Sequence, residues 1–249
     1  MTTSGKSGRI AIMQPYLFPY IGYFQLMAEV DEFWLLDTVQ FIRRGWMNRN
    51  NLNSATGKKL FTIPTAQADR DAPITAISYA PDAGRAVKKL CATVGHTYAS
   101  APFKNQVLEI LESVQTALEA SNAGPDFTDV TELALQKCAH RIGIKTPIQR
   151  VSQLGLDATL SAQDRIVAAC REIGARQYLN MIGGSDLYDA ETFEQAGIEL
   201  LFLEPALQHY DQGSSDFLPG LSILDAIAYV SPDAFPELIS AGNVVKSGV

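Results

Sequence analysis

The chain is poor in cysteine and histidine, with three of each in 249 residues. Cys91, Cys138 and Cys170 are far apart and odd in number, whereas a disulfide framework or a zinc knuckle needs close pairs. Each cysteine falls in an apolar pattern typical of a helix, so we interpret all three as buried, reduced side chains. The histidines are equally scattered and form no His-Glu-x-x-His motif, so the sequence predicts no metal site.

Long apolar runs are also missing from the chain. None approaches the roughly 18 residues that a transmembrane helix needs, so we expect no insertion into a membrane. The first residues, 1–8, lack the apolar core of a signal peptide and are predicted to form a flexible tail. Together these absences predict a cytoplasmic protein.

Positive charge is in short supply as well. The sequence holds 20 lysines and arginines against 27 aspartates and glutamates, which gives a net charge of −7. An extended nucleic-acid partner is bound through a basic surface that neutralises its phosphates, so this balance argues against such a partner. It still allows a local basic pocket that binds a small anion.

Motifs that mark common enzyme classes are absent. The chain has no Gly-x-x-x-x-Gly-Lys-Ser/Thr phosphate loop, no Gly-x-Gly-x-x-Gly fingerprint and no Gly-x-Ser-x-Gly nucleophile elbow. A hydrolase acting on a phosphodiester or a glycoside also lacks a clear pair of carboxylates, so this class ranks last among the functions considered.

What is present is a regular alternation of strand and helix patterns. Apolar, β-branched runs at 9–14 and 32–38 flank a helical pattern at 21–30, which predicts a βαβ unit. Similar patterns predict further strands at 58–66, 147–154, 176–182 and 198–204, and further helices at 84–98, 103–121, 129–142, 161–174 and 189–197.

This alternation predicts an α/β fold with a mostly parallel sheet wrapped by helices, a Rossmann-like architecture. We assign residues 9–240 to one domain with a helical elaboration at about 84–142, and residues 241–249 to a C-terminal tail. Ligands of such sheets bind outside the carboxyl ends of the strands. The four loops that leave these ends are therefore expected to converge. They begin after residues 14, 37, 182 and 204.

The turn after the first strand, MQPYLFPYIGYF at 13–24, combines prolines, a glycine and tyrosines. Pro15 and Pro19 stiffen the backbone, and Gly22 permits a close approach to a ligand. Ring faces for stacking and hydroxyls for hydrogen bonds come from Tyr16, Tyr20 and Tyr23. We predict that this turn faces a ligand; the alternative is that its aromatic rings only close the end of the sheet.

The arm after the second strand, VQFIRRGWMNRNNLN at 39–53, carries a local cationic patch. Asp37 at the strand end can orient a hydroxyl or an amine, and Trp46 can stack on a base or a sugar ring. Amide and guanidinium groups that suit phosphates and carboxylates belong to Gln40, Arg43, Arg44, Asn48, Arg49 and Asn50. This composition favours an anionic ligand; a solvated surface arm is the alternative.

Two later segments carry weaker signals. Gly184 and Ser185 follow a predicted strand in GGSDLY (183–188), where a glycine turn before a helix start allows a phosphate to approach the backbone. Ser222 and Asp225 fit either a ligand site or a helix cap with an acidic residue in the first turn.

Several blocks in this order resemble the WbqC-like protein family: MQPYLFPYIGYF, DEFWLLDTVQFIRRGWMNRNNL, KLFTIPT, RQYLNMIGGSDLY and LPGLSILDAIAYV. The resemblance runs from about Ile10 to Tyr229 and is loose at about 69–146 and at 202–212. It implies a role in surface-polysaccharide (O-antigen) precursor biosynthesis, acting on a nucleotide-linked amino sugar. The matching positions are Gln14, Pro15, Tyr16, Pro19, Gly22, Tyr23, Asp37, Gln40, Arg44, Trp46, Asn48, Arg49, Ser222 and Asp225.

On this resemblance the chain is expected to be a transferase that forms an amide on the sugar amine by aminoacyl or acyl transfer. Asp37 would orient or deprotonate the amine, with Tyr23 as the second candidate. Asn48 or Gln14 would donate a hydrogen bond to the developing oxyanion, and the arginines would bind the diphosphate. The alternative is a non-catalytic protein that binds a nucleotide sugar.

A fainter similarity links the first turn to nucleotidylyltransferases and pantothenate synthetase. Those enzymes hold ATP phosphates with a His-x-x-His-type pair, whereas Pro19 and Tyr23 stand near the corresponding positions here. An ATP-dependent adenylating ligase is therefore a further alternative, with ATP as an open cofactor. The sequence specifies no other cofactor.

Overall fold

The computed structural model describes residues 8–120, 124–214 and 216–247 of the chain. Its strands are β1 Arg9–Met13, β2 Glu32–Leu35, β3 Arg49–Leu52, β4 Lys59–Thr62, β5 Ile148–Arg150, β6 Gln177–Met181, β7 Glu199–Glu204 and β8 Asn243–Lys246. Its α-helices are α1 Ile21–Ala28, α2 Ala83–Thr97, α3 Lys104–Glu119, α4 Phe127–Arg141, α5 Ala162–Ile173, α6 Ala190–Gln195, α7 Ile223–Tyr229 and α8 Phe235–Ile239.

Six of these strands form the main sheet in the order β5-β2-β1-β6-β7-β8. All neighbours pair in parallel except β8, which is antiparallel to β7. The chain adds β2 and β5 on one side of β1 and then β6 and β7 on the other, so the strand order reverses between β1 and β6. Such a switch point is where open α/β sheets bind their ligands. The predicted α/β fold with a mostly parallel sheet is confirmed.

Both faces of the sheet are covered by hydrophobic side chains. Ala11 and Phe33 contribute to the layer that includes α1 to α4, α7 and α8. Ile12 and Trp34, one residue further along each strand, contribute to the layer on the opposite face with α5 and α6. Burial on both faces explains why the strands read as continuous apolar runs.

Three predicted segments differ from the structure. The strand predicted at 58–66 becomes β4, which pairs with β3 in an antiparallel hairpin outside the main sheet. The strand predicted at 147–154 is only three residues long and continues as a 3-10 helix. The predicted C-terminal tail contains β8, because Val244 and Val245 each pack against one of the two hydrophobic layers.

Helix ends follow the predicted signals. The Ser161 side chain accepts a hydrogen bond from the backbone N–H of Asp164 at 3.2 Å and so caps α5. Gly197 after α6 has a φ of +73°, a left-handed conformation that ends a helix at little cost for glycine. Residues 1–7 of the predicted tail and residues 121–123 after α3 lie outside the described residues. None of the helices in the described ranges is both long enough and apolar enough to cross a membrane.

Candidate functional site

The bend after β1, residues 14–20, lies at the carboxyl end of a central strand. Phe18 in this bend has a φ of +51°, which a residue other than glycine rarely adopts. Two side chains donate to its carbonyl oxygen: Nδ2 of Asn50 at 2.8 Å and Oγ of Ser222 at 2.9 Å. The bend is therefore held between the β3–β4 hairpin and the start of α7.

The arm lies beside this bend on the same edge of the sheet, as expected from the sequence. The backbone N–H of Leu17 donates to the Met47 carbonyl at 2.8 Å. Burial and the neighbouring Tyr20 raise the pKa of the Tyr16 phenol, and the Arg49 guanidinium partly offsets that rise because it favours the phenolate. The positive charge of Arg49 therefore acts on the Tyr16 hydroxyl.

Arg49 is held in place by two contacts. Its Nε donates to the Gly45 carbonyl at 2.6 Å, and its guanidinium carbon lies 5.6 Å from the centroid of the Trp46 ring, a cation–π distance. Arg49 is half-buried, whereas the Trp46 side chain is 52% exposed. We call Tyr16, Tyr20, Trp46 and Arg49 the Tyr16–Arg49 cluster. It presents two phenols, one fixed cation and one open indole face.

Other polar residues of the arm bond to neighbouring loops. Asn48 donates through Nδ2 to the Ile63 carbonyl at 2.9 Å, which joins the arm to the chain after β4. Gln40 donates through Nε2 to Oδ1 of Asp71 at 2.9 Å and is exposed. Arg44 is exposed, with a φ of +60°, and its guanidinium has no hydrogen bond or ion pair within the described residues.

Gln14 and Pro15 connect β1 to the bend. Pro15 is buried and Gln14 is half-buried. Within the ranges that the structure describes, the Gln14 side-chain amide makes no hydrogen bond, so both its donors and its acceptor are available. Its position directly after β1 places this amide at the switch point of the sheet.

Gly22 and Tyr23 at the start of α1 serve close packing. A Cβ atom at Gly22 would lie 2.4 Å from the Tyr20 ring and 2.9 Å from Cβ of Pro205, so only glycine lets both approach α1. Tyr23 is 3% exposed, and its hydroxyl donates to the Gln14 carbonyl at 3.0 Å. Burial raises the pKa of Tyr23, so its phenol stays protonated at neutral pH.

Asp37 lies directly beyond β2 and is 1% exposed. Its Oδ1 accepts the backbone N–H of Ser152 at 2.9 Å, and its Oδ2 accepts the Ser152 hydroxyl at 2.6 Å. Ser152 is exposed and follows β5, so the residue that bonds to the buried carboxylate lies at the protein surface. Sequence reasoning missed Ser152, although a serine just beyond a parallel strand is a signal for this edge of the sheet.

The segment after β6 lies over the other face of the sheet. Gly184 and Ser185 belong to a short 3-10 helix, and Ser185 lines a groove with Phe202. Phe202 belongs to the hydrophobic layer with α5 and α6, whereas Tyr16 packs against the opposite layer. Within the described residues no hydrogen bond or ion pair joins this segment to the Tyr16–Arg49 cluster. The expected convergence is therefore seen for the bend and the arm, and not for Gly184 and Ser185.

Ser222 and Asp225 belong to a buried polar network. Ser222 is the N-cap of α7 and Asp225 its third residue, so the predicted cap is confirmed, while a ligand role for either stays a prediction. The Asp225 carboxylate is fully buried and accepts the Tyr98 and Tyr210 hydroxyls, each at 2.8 Å. Burial raises the pKa of Asp225 to about 6, and hydrogen bonds from Tyr98, Tyr210 and Gln212 limit the rise.

The cysteines are all free thiols, with Cys138 and Cys170 buried and Cys91 partly buried. Burial raises the pKa of Cys138 and of Cys170, which keeps both in the unreactive thiol form. Within residues 8–120, 124–214 and 216–247, no group of three or more His, Cys, Asp or Glu side chains is placed to hold a metal ion.

Comparison with known proteins relates these segments to a family. The chain is 25% identical over 233 residues to a Mycobacterium tuberculosis (strain ATCC 25618 / H37Rv) protein described as "Uncharacterized protein Rv1507c". The aligned region covers 91% of this chain and 95% of that protein. No solved structure matches the chain. The sequence profile of the WbqC-like protein family matches residues 14–237, which include the bend, the arm and α7. The chain therefore belongs to the WbqC-like protein family.

Proposed function

We propose that the protein is a transferase that forms an amide, by aminoacyl or acyl transfer, on the amine of a small anionic acceptor. The acceptor that we propose is a nucleotide-linked amino sugar, a precursor of a surface polysaccharide such as O-antigen. We base this proposal on the Tyr16–Arg49 cluster, which sets a fixed cation beside two phenols and an open indole face at the edge where α/β sheets bind ligands.

The cluster suits a diphosphate joined to a ring system. The Arg49 guanidinium offers a planar fork for phosphate oxygens, and its contacts with Gly45 and Trp46 reduce the entropy that it loses on binding. The exposed face of Trp46 can stack on a base. Tyr16 and Tyr20 have raised pKa values because of burial, so both hydroxyls remain donors at neutral pH.

The transfer step needs a proton acceptor, because the amine loses a proton as its nitrogen bonds to the acyl carbon. We assign this role to Asp37 acting through Ser152. The Ser152 hydroxyl takes the amine proton and passes its own proton to Asp37 along the 2.6 Å hydrogen bond. The alcohol or thiol part of the donor's activated ester or thioester leaves with the electron pair of the broken C–O or C–S bond, and the acyl group stays on the nitrogen. Gln14, whose amide is available, is the better placed oxyanion donor; Asn48 already donates to Ile63.

The test combines purified protein with nucleotide-linked amino sugars and activated acyl or aminoacyl donors, with and without ATP, and detects products by mass spectrometry. We expect the acceptor to gain the mass of one acyl group in place of one hydrogen. The variant Arg49→Met should lose acceptor binding in a thermal-shift titration. A matched change at the exposed Arg85 on α2, Arg85→Met, should retain it. Absence of any adduct across all pairings contradicts the proposal.

A non-catalytic nucleotide-sugar binding protein is the second candidate. The burial of Asp37 favours this candidate. A buried carboxylate with two hydrogen bonds from Ser152 is also explained if those bonds only join the loops after β2 and β5. The variant Ser152→Ala separates the two functions. A transferase should lose product formation while it keeps acceptor affinity, whereas a non-catalytic binding protein forms no product with either chain and should keep the same acceptor affinity.

A further inference from the structure

The stretch from Thr38 to Ala68 differs in charge from the rest of the chain. It contains five lysines and arginines and no aspartate or glutamate, so its formal charge is +5, while the remaining residues carry −12. This stretch comprises the end of the β2 loop, the arm and the β3–β4 hairpin. Positive potential is therefore concentrated on one projecting part of an acidic protein.

Large apolar side chains are exposed in the same stretch. Ile42, Trp46 and Leu60 are each about half exposed, at 52%, 52% and 51%. They account for three of the six exposed large apolar side chains in the part of the chain that the structure describes. A role in the protein core does not explain why these three residues are apolar, because about half of each residue is exposed to water.

The hairpin register places Arg49 and Leu60 on one side. Arg49 pairs with Thr62 and Asn51 with Leu60, and directly paired residues of antiparallel strands point to the same face. The Trp46 ring packs on the Arg49 guanidinium, so it extends this face toward the arm.

The opposite face of the hairpin is already occupied. Its Phe61 ring lies 6.4 Å from the Phe18 ring of the bend, and Leu52 is fully buried. The face with Leu60 and Trp46 is therefore the outer one. We define the outer hairpin face by Trp46, Arg49 and Leu60, together with the exposed Ile42 and Arg44 of the arm just before Trp46.

We propose that the outer hairpin face docks on the surface of a membrane that contains anionic lipid. Exposed tryptophan and aliphatic side chains among lysines and arginines suit the boundary between charged headgroups and acyl chains. A purely polyanionic ligand would leave Ile42 and Leu60 in water. Because these side chains belong to separate turns and strands, they fit a flat, fluid surface better than a shaped protein partner. The proposal does not rest on the transfer reaction, although it involves Trp46 and Arg49, which the proposed acceptor site also uses.

Vesicle flotation with the full chain tests the proposal. We expect binding to vesicles of phosphatidylcholine mixed with phosphatidylglycerol, no binding to phosphatidylcholine alone, and weaker binding at high salt. Fluorescence provides a second measurement, because Trp34 is 8% exposed and Trp46 is the exposed tryptophan of the chain. Anionic vesicles should shift the emission to the blue, brominated lipid should quench it, and Trp46→Phe should remove both effects.

Charge variants make the test specific. Each basic residue near an anionic bilayer contributes about 1 kcal/mol, so Arg44→Glu should weaken binding at least about fivefold. The matched control reverses one exposed charge on α2, Lys88→Glu, and should bind like the wild-type chain.

The apolar part of the face has its own pair of variants. Leu60→Ser should weaken binding, whereas Leu187→Ser, at a side chain that is more exposed but far along the chain, should not. Failure to bind anionic vesicles, equal binding to neutral vesicles, or an equal loss in the control variants overturns the proposal. Failure to bind anionic vesicles would instead indicate that the outer hairpin face binds a protein partner.

Discussion

Replacement of the buried Asp225 carboxyl by a neutral amide should change how the stability of the fold depends on pH. Asp225 is fully buried in α7, and its two oxygens accept the hydroxyls of Tyr98 and Tyr210. Burial raises the pKa of this carboxyl to about 6, from 3.8 for an ordinary aspartate. The folded chain therefore takes up this proton at a higher pH than the unfolded chain does.

The sign of the effect follows from proton uptake. Between the two pKa values the folded state binds more protons than the unfolded state, so the free energy of unfolding rises as the pH falls. This contribution is absent above about pH 7, amounts to about 1.4 kcal/mol at about pH 5, and approaches about 3 kcal/mol below about pH 4. The Asp225→Asn variant lacks it at every pH.

Other carboxyl groups also titrate between about pH 4 and pH 7. The stability of the wild-type chain is therefore compared with that of the Asp225→Asn variant at each pH. Burial raises the pKa of Asp126 as well, whereas hydrogen bonds lower the pKa of Asp157, of Asp189 and of Glu199. These groups are the same in the wild-type chain and in Asp225→Asn. Their contributions cancel when the two unfolding free energies are subtracted at each pH.

Urea unfolding at about pH 7.5 and about pH 5, followed by circular dichroism, measures this difference. Relative to Asp225→Asn, the wild-type chain should become more stable by about 1.4 kcal/mol at the lower pH. The exposed Asp186 supplies a control, since Asp186→Asn should keep a constant difference from the wild type. A difference that stays constant for Asp225→Asn, or that changes in the opposite direction, would show that burial does not raise the pKa of Asp225.

Three further predictions concern the start of α1 and of α7, and urea unfolding checks each of them. Gly22→Ala should lower the free energy of unfolding by about 1–3 kcal/mol, because the new Cβ would lie 2.4 Å from the Tyr20 ring; unchanged stability would mean that the ring moves away freely. Tyr23→Phe should cost about 1 kcal/mol, since it removes the hydrogen bond to the Gln14 carbonyl, and a neutral effect would contradict that role. Ser222→Ala should cost about 1–2 kcal/mol through loss of the α7 cap, whereas Ser222→Thr should retain most of the stability.

Much of the fold could be predicted because its signals are local. An apolar run bounded by Gly8 and Pro15 predicted β1, and a continuous apolar run predicted β2. The sequence also predicted a helix cap at Ser161, and a cap was one of two interpretations at Ser222. The proximity of the bend and the arm followed from one topological rule, since the carboxyl ends of parallel strands lie at one edge of the sheet. The short strand β8 was missed because four residues are too few for a period-2 pattern to stand out.

The candidate site was less predictable, because it depends on contacts between distant residues. Ser152 bonds to Asp37 across 115 residues, and no local pattern in the sequence links them. Likewise the sequence assigned Gly184 and Ser185 to the same edge as Tyr16, but whether a loop turns toward one face of a sheet or the other is decided by packing.

By itself, the sequence determined the alternation of strands and helices, the local caps and the cationic character of the arm, because hydrophobic periodicity and charge are properties of short segments. Three arrangements depend instead on tertiary contacts: the Arg49 charge acts on the Tyr16 phenol, Asp37 bonds to Ser152, and the buried Asp225 accepts hydrogen bonds from two tyrosines. These arrangements minimise unpaired polar groups across the whole fold, and no segment contains that information alone.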